Sequence, residues 1–319
     1  MNPKIKRTLK ITLPLLLGVF LVWYSLSRIS IEELISYFKK ADYTWVSLGV
    51  FFGLLSHLSR AYRWRFQLEP MGYNVKLNNS IMAVFAAYLI NYTIPRAGEV
   101  ARASVLTNYE DVPFEKGFGS IVAERVADMM VMLGIISVTL FLQFDFIYDF
   151  LVDKFNPVKI FIGLLGLVVA VLFFIKYIRT SSSKVALKIK TFVGGLIEGV
   201  LSIFKMKKKW AYIFHTLFIW AMYLLMFYVT SFSLEQTMEI PFSAILIGFI
   251  AASFSIAATN GGVGSYPEAI VLAFLLFNIH EDPSRAFGWI MWASQTLLII
   301  IFGGLSLVYL PIYNRKSNK

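Results

Sequence analysis

Eight apolar runs follow one another along this chain, at 9–26, 43–59, 78–94, 127–144, 158–177, 210–231, 242–277 and 287–310. Several approach the roughly 20 residues that a helix needs to cross a bilayer core. Hydrocarbon offers no partner to backbone N–H and C=O groups, and the α-helix satisfies them within a single segment. Only 15% of the 319 residues are charged, against about a quarter in soluble domains. The reading is an all-α, polytopic membrane helical bundle, with one transmembrane domain over residues 1–319. The net charge of +11 does not point to nucleic acid, because the basic residues lie between the apolar runs, where membrane topology places them. The chain has no cysteine, which excludes disulfides and thiolate chemistry. Lys4, Lys6, Arg7 and Lys10 ahead of 11–24 have the pattern of a signal peptide, and Ser25-Leu26-Ser27 offers a small-x-small cleavage site. An uncleaved first helix is the expectation, since that site is weak.

Lysine and arginine in the connections set orientation. The basic N-terminus and the tail with Arg315, Lys316 and Lys319 are read as cytoplasmic, and so is the connection 176–209, whose only acid is Glu198. Asp145, Asp149 and Asp153 against Lys154 mark an outside connection. Eight simple crossings would put 176–209 outside. The conflict disappears if 78–106 is a re-entrant hairpin from the cytoplasm and 242–277 a second one from outside. The layout is then six full spans plus two re-entrant helical hairpins, in a plasma-membrane protein with both termini cytoplasmic. It admits an inverted-topology repeat, 9–144 and 158–310, a pattern of secondary transporters whose sites lie between the repeats at broken helices. The stretch 184–209, apolar at helical spacing with lysines opposite, reads either as a cytoplasmic amphipathic segment on the anionic leaflet or as a positive-inside linker. Residues 29–41 read as a similar short helix on the outer side.

The two hairpin turns share chemistry. In TNGGVGSYPE, 259–268, Asn260, Gly261, Gly262, Gly264 and Pro267 cannot continue a regular helix. Such a break survives in a membrane only inside protein or beside a water-filled cavity. Asn91, Pro95, Arg96, Gly98, Glu99 and Arg102 supply the polar turn of the first hairpin. Pro95 precedes Glu99 and Pro267 precedes Glu268; proline suits a helix's first turn, and a carboxylate there faces the positive dipole end. The tips are expected to meet near the membrane midplane, with Arg96 and Glu268 lining one cavity.

Arg60, Arg63 and Arg65 follow the second run. They read either as a stop-transfer cluster at the headgroups or as inward groups gripping phosphate, with Arg60 nearest the membrane. Glu99 and Arg102, three apart, have the spacing of an ion pair, which would leave Arg96 to an anion. Glu124 and Asp128, flanking Arg125, share a helix face, either as an ion-pair network or as part of a substrate path. Glu268 has no charged neighbour in sequence, so its partner must come from elsewhere. Asn260 joins these as a substrate-binding candidate. His57, His215 and His280 lack metal-ligand spacing. There is no Walker loop, and 261–265 is not a dinucleotide fingerprint because no βαβ unit surrounds it. No cofactor or metal is implied.

Arg60 with Arg63-Trp64-Arg65, then Asn91…Pro95-Arg96-Ala97-Gly98-Glu99…Arg102, then Glu124-Arg125-Val126-Ala127-Asp128, and finally Asn260-Gly261-Gly262-Val263-Gly264…Pro267-Glu268 together resemble the flippase-like transmembrane family. This is the membrane region of lysylphosphatidylglycerol synthases, found also as standalone proteins. The resemblance implies a helical membrane domain with re-entrant elements that moves lipids between leaflets. It implies anionic phospholipid or lipid-linked headgroups as partners, with Arg60, Arg96, Arg102 and Arg125 on phosphate. Glu99, Glu124, Asp128 and Glu268 would orient them or receive a basic headgroup. The chain ends about ten residues past its last apolar run, so aminoacyl-lipid synthesis is not expected of it alone, and a transporter is expected rather than an enzyme. Alternatives are a lipid-linked sugar transferase, with Asp145, Asp149 and Asp153 as its acidic candidates, or a non-transporting partner of a separate lipid-modifying enzyme.

Overall fold

The computed structural model describes residues 3–94, 96–154, 157–181, 183, 186, 187, 189, 190 and 206–315. Among them the regular structure is helical and no strand occurs. The elements are α1 (Pro3–Leu26), α2 (Ile31–Lys40), α3 (Tyr43–Leu68), α4 (Leu77–Thr93), α5 (Ala97–Tyr109), α6 (Phe114–Leu142), α7 (Phe144–Lys154), α8 (Pro157–Thr180), α9 (Lys209–Thr230), α10 (Phe242–Ala258), α11 (Ser265–Leu275) and α12 (Glu281–Asn314). Among the described residues, three helices are long and apolar enough to cross a bilayer: Phe114–Leu142, Lys209–Ser233 and Glu281–Asn314. The short helix expected at 29–41 is α2, capped by Ser30, whose hydroxyl accepts from the Glu33 N–H. Most of the stretch 184–205 lies outside the described residues, as does Pro95.

The chain divides into two compact units, Met1–Glu124 with Trp210–Lys319, and Arg125–Lys209. The second unit holds the rest of α6 with α7 and α8. Leu165, Val169, Leu172 and Phe173 on α8 are exposed, as suits a surface solvated by lipid tails rather than water. Arg125 is exposed and Asp128 buried in this unit.

The first unit is built on two helix–break–helix hairpins. In one, α4 and α5 pack along each other. The chain turns at Arg96, which takes the left-handed conformation (φ 59°). Asn91 closes the break: its Oδ1 accepts from the Gly98 N–H at 2.7 Å, satisfying one of the orphan donors of α5. Gly98 has no room for a side chain, since a Cβ there would run into the Ala87 carbonyl and stand 2.7 Å from Asn91 Oδ1. In the other hairpin, α10 and α11 are joined through Gly261, Gly262 and Gly264, all with positive φ (65°, 77° and 69°). Pro267 sits in the first turn of α11, where its missing N–H costs nothing.

The long helix α12 packs against α3, α4 and α11. A Cβ at Gly303 would come within 2.7 Å of Leu89 Cβ, and one at Gly288 within 2.6 Å of the Pro267 Cα, so α12 touches both hairpins nearly backbone to backbone. Asn79 and Asn314 exchange two hydrogen bonds (2.9 and 2.8 Å), which place the end of α12 beside the start of α4. Gly98→Ala should overpack the first break and cost about 1–3 kcal/mol, seen as a lower melting temperature in detergent. Gly304→Ala, at a site with open space around it, should leave melting unchanged.

Candidate functional site

Helical spacing puts Arg60, Arg63, Trp64 and Gln67 on one face of α3, and all four are buried. The face meets α5, the start of α6 and α9. Arg60 Nη1 donates to Glu124 Oε1 at 2.6 Å. Arg102, from α5, grips the same carboxylate with both terminal nitrogens, at 3.1 Å to Oε1 and 2.9 Å to Oε2. Arg63 Nη2 lies 3.5 Å from Oε1, and its Nη1 donates to Thr216 Oγ1 at 2.8 Å. Glu124 is 1% exposed and Arg63 0%, so this is a dry ion cluster.

Aromatic faces complete its walls. The Arg102 guanidinium lies 3.8 Å from the Trp64 ring centroid, Arg63 lies 5.2 Å from Tyr212, and Arg60 6.0 Å from Tyr223, all within cation–π reach. Trp64 is held in turn by its indole N–H, which donates to Ser120 Oγ at 2.8 Å. Beneath it Leu68, Val75, Ala83, Ala103, Leu106, Val112 and Ile121 form a buried apolar floor.

A second cluster lies at the start of α12. Glu268 Oε1 accepts from Arg285 Nε at 2.8 Å and from the Ser25 hydroxyl at 2.6 Å. Trp289 Nε1 donates to the same Ser25 oxygen at 3.2 Å. Arg285, 1% exposed, also reaches Glu281 (3.2 Å) and Asp282 (3.4 Å). The two clusters have opposite make-up. One gathers three arginines on a glutamate, the other three carboxylates on an arginine. From Arg285 to Asn314 the helix rise alone is about 43 Å.

The two breaks touch each other between these clusters. Tyr92, the residue before the last of α4, packs against Gly261, where a Cβ would stand 2.6 Å from the Tyr92 ring. Trp292 donates to the Gly261 carbonyl at 2.8 Å, and Thr296 donates to Tyr92 Oη at 3.2 Å. Both bonds come from one face of α12.

The predicted site residues therefore separate. Arg60, Arg102 and Glu124 come together. Arg102 reaches Glu124 across 22 positions. Arg96 is exposed at the turn and Glu99 half-buried. Asn260 is half-buried, with its Nδ2 enclosed in protein. Glu268, whose partner had to come from elsewhere in the chain, is bound by Arg285 and Ser25. Sequence reasoning ranked Arg63 below Arg60 and passed over Arg285. Glu281 and Asp282, at i−4 and i−3, were the local pattern pointing to Arg285. Nothing local marked Ser25, read as part of a cleavage site.

The profile described as Lysylphosphatidylglycerol synthase TM region matches residues 11–304. The chain belongs to that family. The UPF0104 membrane protein MJ1595 of Methanocaldococcus jannaschii is 25% identical over 99% of this chain and 98% of its own length. Glycosyltransferase AglD of Haloferax volcanii is 31% identical over 140 residues, 44% of this chain but 22% of that protein. Both clusters and both breaks lie inside the matched family region.

Glu124→Ala leaves three guanidinium groups around an emptied carboxylate position, and loss of one partner from a buried ionic cluster costs about 3–5 kcal/mol. The expected result is loss of a monodisperse protein or a large drop in detergent melting temperature. Arg102→Lys should fall between this and wild type, because lysine keeps the charge and loses the two-pronged grip.

Proposed function

We propose that this membrane protein binds anionic lipid headgroups and carries them between leaflets of the plasma membrane. The observation that supports this best is the buried convergence of Arg60, Arg63 and Arg102 on Glu124. Ionisable groups at such depth are costly in a membrane and mark substrate or ion paths, and guanidinium forks fit phosphate as well as carboxylate. The abutting breaks at Tyr92 and Gly261 support the same reading, since irregular backbone inside a membrane protein belongs where a path runs. In the topology that carries the reading, six full spans and two re-entrant hairpins place the arginine cluster toward the cytoplasm and the Glu268 cluster toward the outside. Arg96 and Glu268 then flank the passage from opposite leaflets, and acyl chains stay in the bilayer.

Purified protein in liposomes should accelerate leaflet exchange of a labelled anionic phospholipid. Arg60→Lys and Arg96→Ala should slow that exchange by roughly tenfold or more, the effect of losing one charge-assisted contact. Exchange no faster than in empty liposomes, across several lipid classes, removes the transport reading.

A second reading has one observation in its favour, the partial match to Glycosyltransferase AglD. In it the chain handles a lipid-linked sugar and takes part in its transfer. Asp145 and Asp149 of α7 would be the acidic groups, with Asp153. Among the described residues no group of three or more histidines or carboxylates is arranged to hold a metal. Turnover of a prenyl-phosphate sugar by the purified protein, lost on Asp145→Asn and Asp149→Asn, would establish this reading over transport.

A further inference from the structure

The second break gathers oxygen atoms. Ser255 and Thr259 stand one turn apart at the end of α10, and Ser265 opens α11 on the far side of the glycine turn. Ser265 Oγ lies 2.6 Å from Ser255 Oγ and 2.9 Å from Thr259 Oγ1. Thr259 Oγ1 donates to the Ser255 carbonyl at 2.8 Å. A hydroxyl has one proton to give and two lone pairs to receive with. The Thr259 proton is committed to the carbonyl, so the protons of Ser255 and Ser265 supply the two hydroxyl contacts. Every proton is then used. Ser255 keeps both its lone pairs, and Ser265 and Thr259 keep one each.

The helix end adds to this. The chain leaves α10 at Thr259 in an extended conformation, so the carbonyls of Ile256, Ala257 and Ala258 lose their partners within the helix. All three residues are exposed. The last turn of α10 holds no basic side chain to answer the negative end of its dipole. Across the turn, the positive end of α11 is answered by Glu268 in its first turn. The α10 side of the break therefore offers lone pairs and partial negative charge, which suit a cation and repel an anion. The three hydroxyls are neutral, and calcium and magnesium sites rely on carboxylates. A monovalent cation matches the donor set, and the C-terminal ends of interrupted membrane helices are where such ions are coordinated. Oxygens held 2.6 and 2.9 Å apart favour the smaller sodium ion over potassium.

We infer that Ser255, Thr259 and Ser265, with the terminal carbonyls of α10, form a sodium site in the second break. The site goes beyond the lipid-binding reading and does not depend on it.

The test is thermal melting of the full chain in detergent, in the chlorides of sodium, potassium and choline at equal ionic strength. A ligand held by the folded state alone raises the melting temperature as its concentration passes Kd. Sodium should raise it saturably over choline, and potassium should raise it less. Thr259→Val keeps the shape and removes one hydroxyl, and Ser265→Ala removes the oxygen that touches the other two. Melting in choline identifies which variants remain folded, and each folded variant should bind sodium roughly fivefold more weakly or worse. Binding of radiolabelled sodium to the folded protein gives the same comparison without heating. Absence of a sodium effect in the wild type, or an equal effect from potassium, overturns the inference. A sodium effect undiminished in the folded variants also overturns it. These outcomes leave the transport reading untouched, since no lipid probe enters them.

Discussion

The contact of Arg60, Arg63 and Arg102 with the single carboxylate of Glu124 governs the rest of the first unit. In a protein that is mostly apolar, a charge removed from water has to find its partner inside, and the cost of failing exceeds that of any ordinary packing defect. Three side chains from two helices meet at Glu124, which stands on a third. Its partners fix the rotation of α3 and α5 relative to the start of α6. Trp64 and Tyr212 then cover the guanidinium faces, and the apolar floor from Leu68 to Ile121 lies against the indole that the cluster holds in place.

The same constraint explains the two hairpins. A helix that stops inside a membrane protein strands N–H and C=O groups, and each break answers this locally. Asn91 caps α5 through Gly98. Ser255, Thr259 and Ser265 link their hydroxyls across the second break at 2.6 and 2.9 Å. Trp292 takes the Gly261 carbonyl. Glycine is needed at Gly264 on two counts, a φ of +69° and the α1 backbone at Leu21 and Val22 lying where a Cβ would be. The breaks are built as defined features, and they face each other across Tyr92.

Much of this could be read along the chain. Apolar length announced membrane helices, and Asn260 to Gly264 announced the second break. Arg60, Arg102 and Glu124 were candidates before any fold was known. Arg102, expected from its spacing to pair with Glu99, also reaches Glu124 because α5 turns its guanidinium into the interior, toward α6. Arg285 escaped because its partner Glu268 lies 17 positions away, across the turn between α11 and α12. Ser25 escaped because its partner is 243 positions away.

The sequence by itself determined the helical membrane class, the family, and where the helices must break, because these follow from local properties: apolar length, glycine's access to positive φ, and proline's missing donor. Only the tertiary structure decided which arginines share a carboxylate and that Tyr92 meets Gly261. Those outcomes depend on which faces of distant helices meet. Close packing and the need to neutralise buried charge set that choice, and neither is written in any one segment.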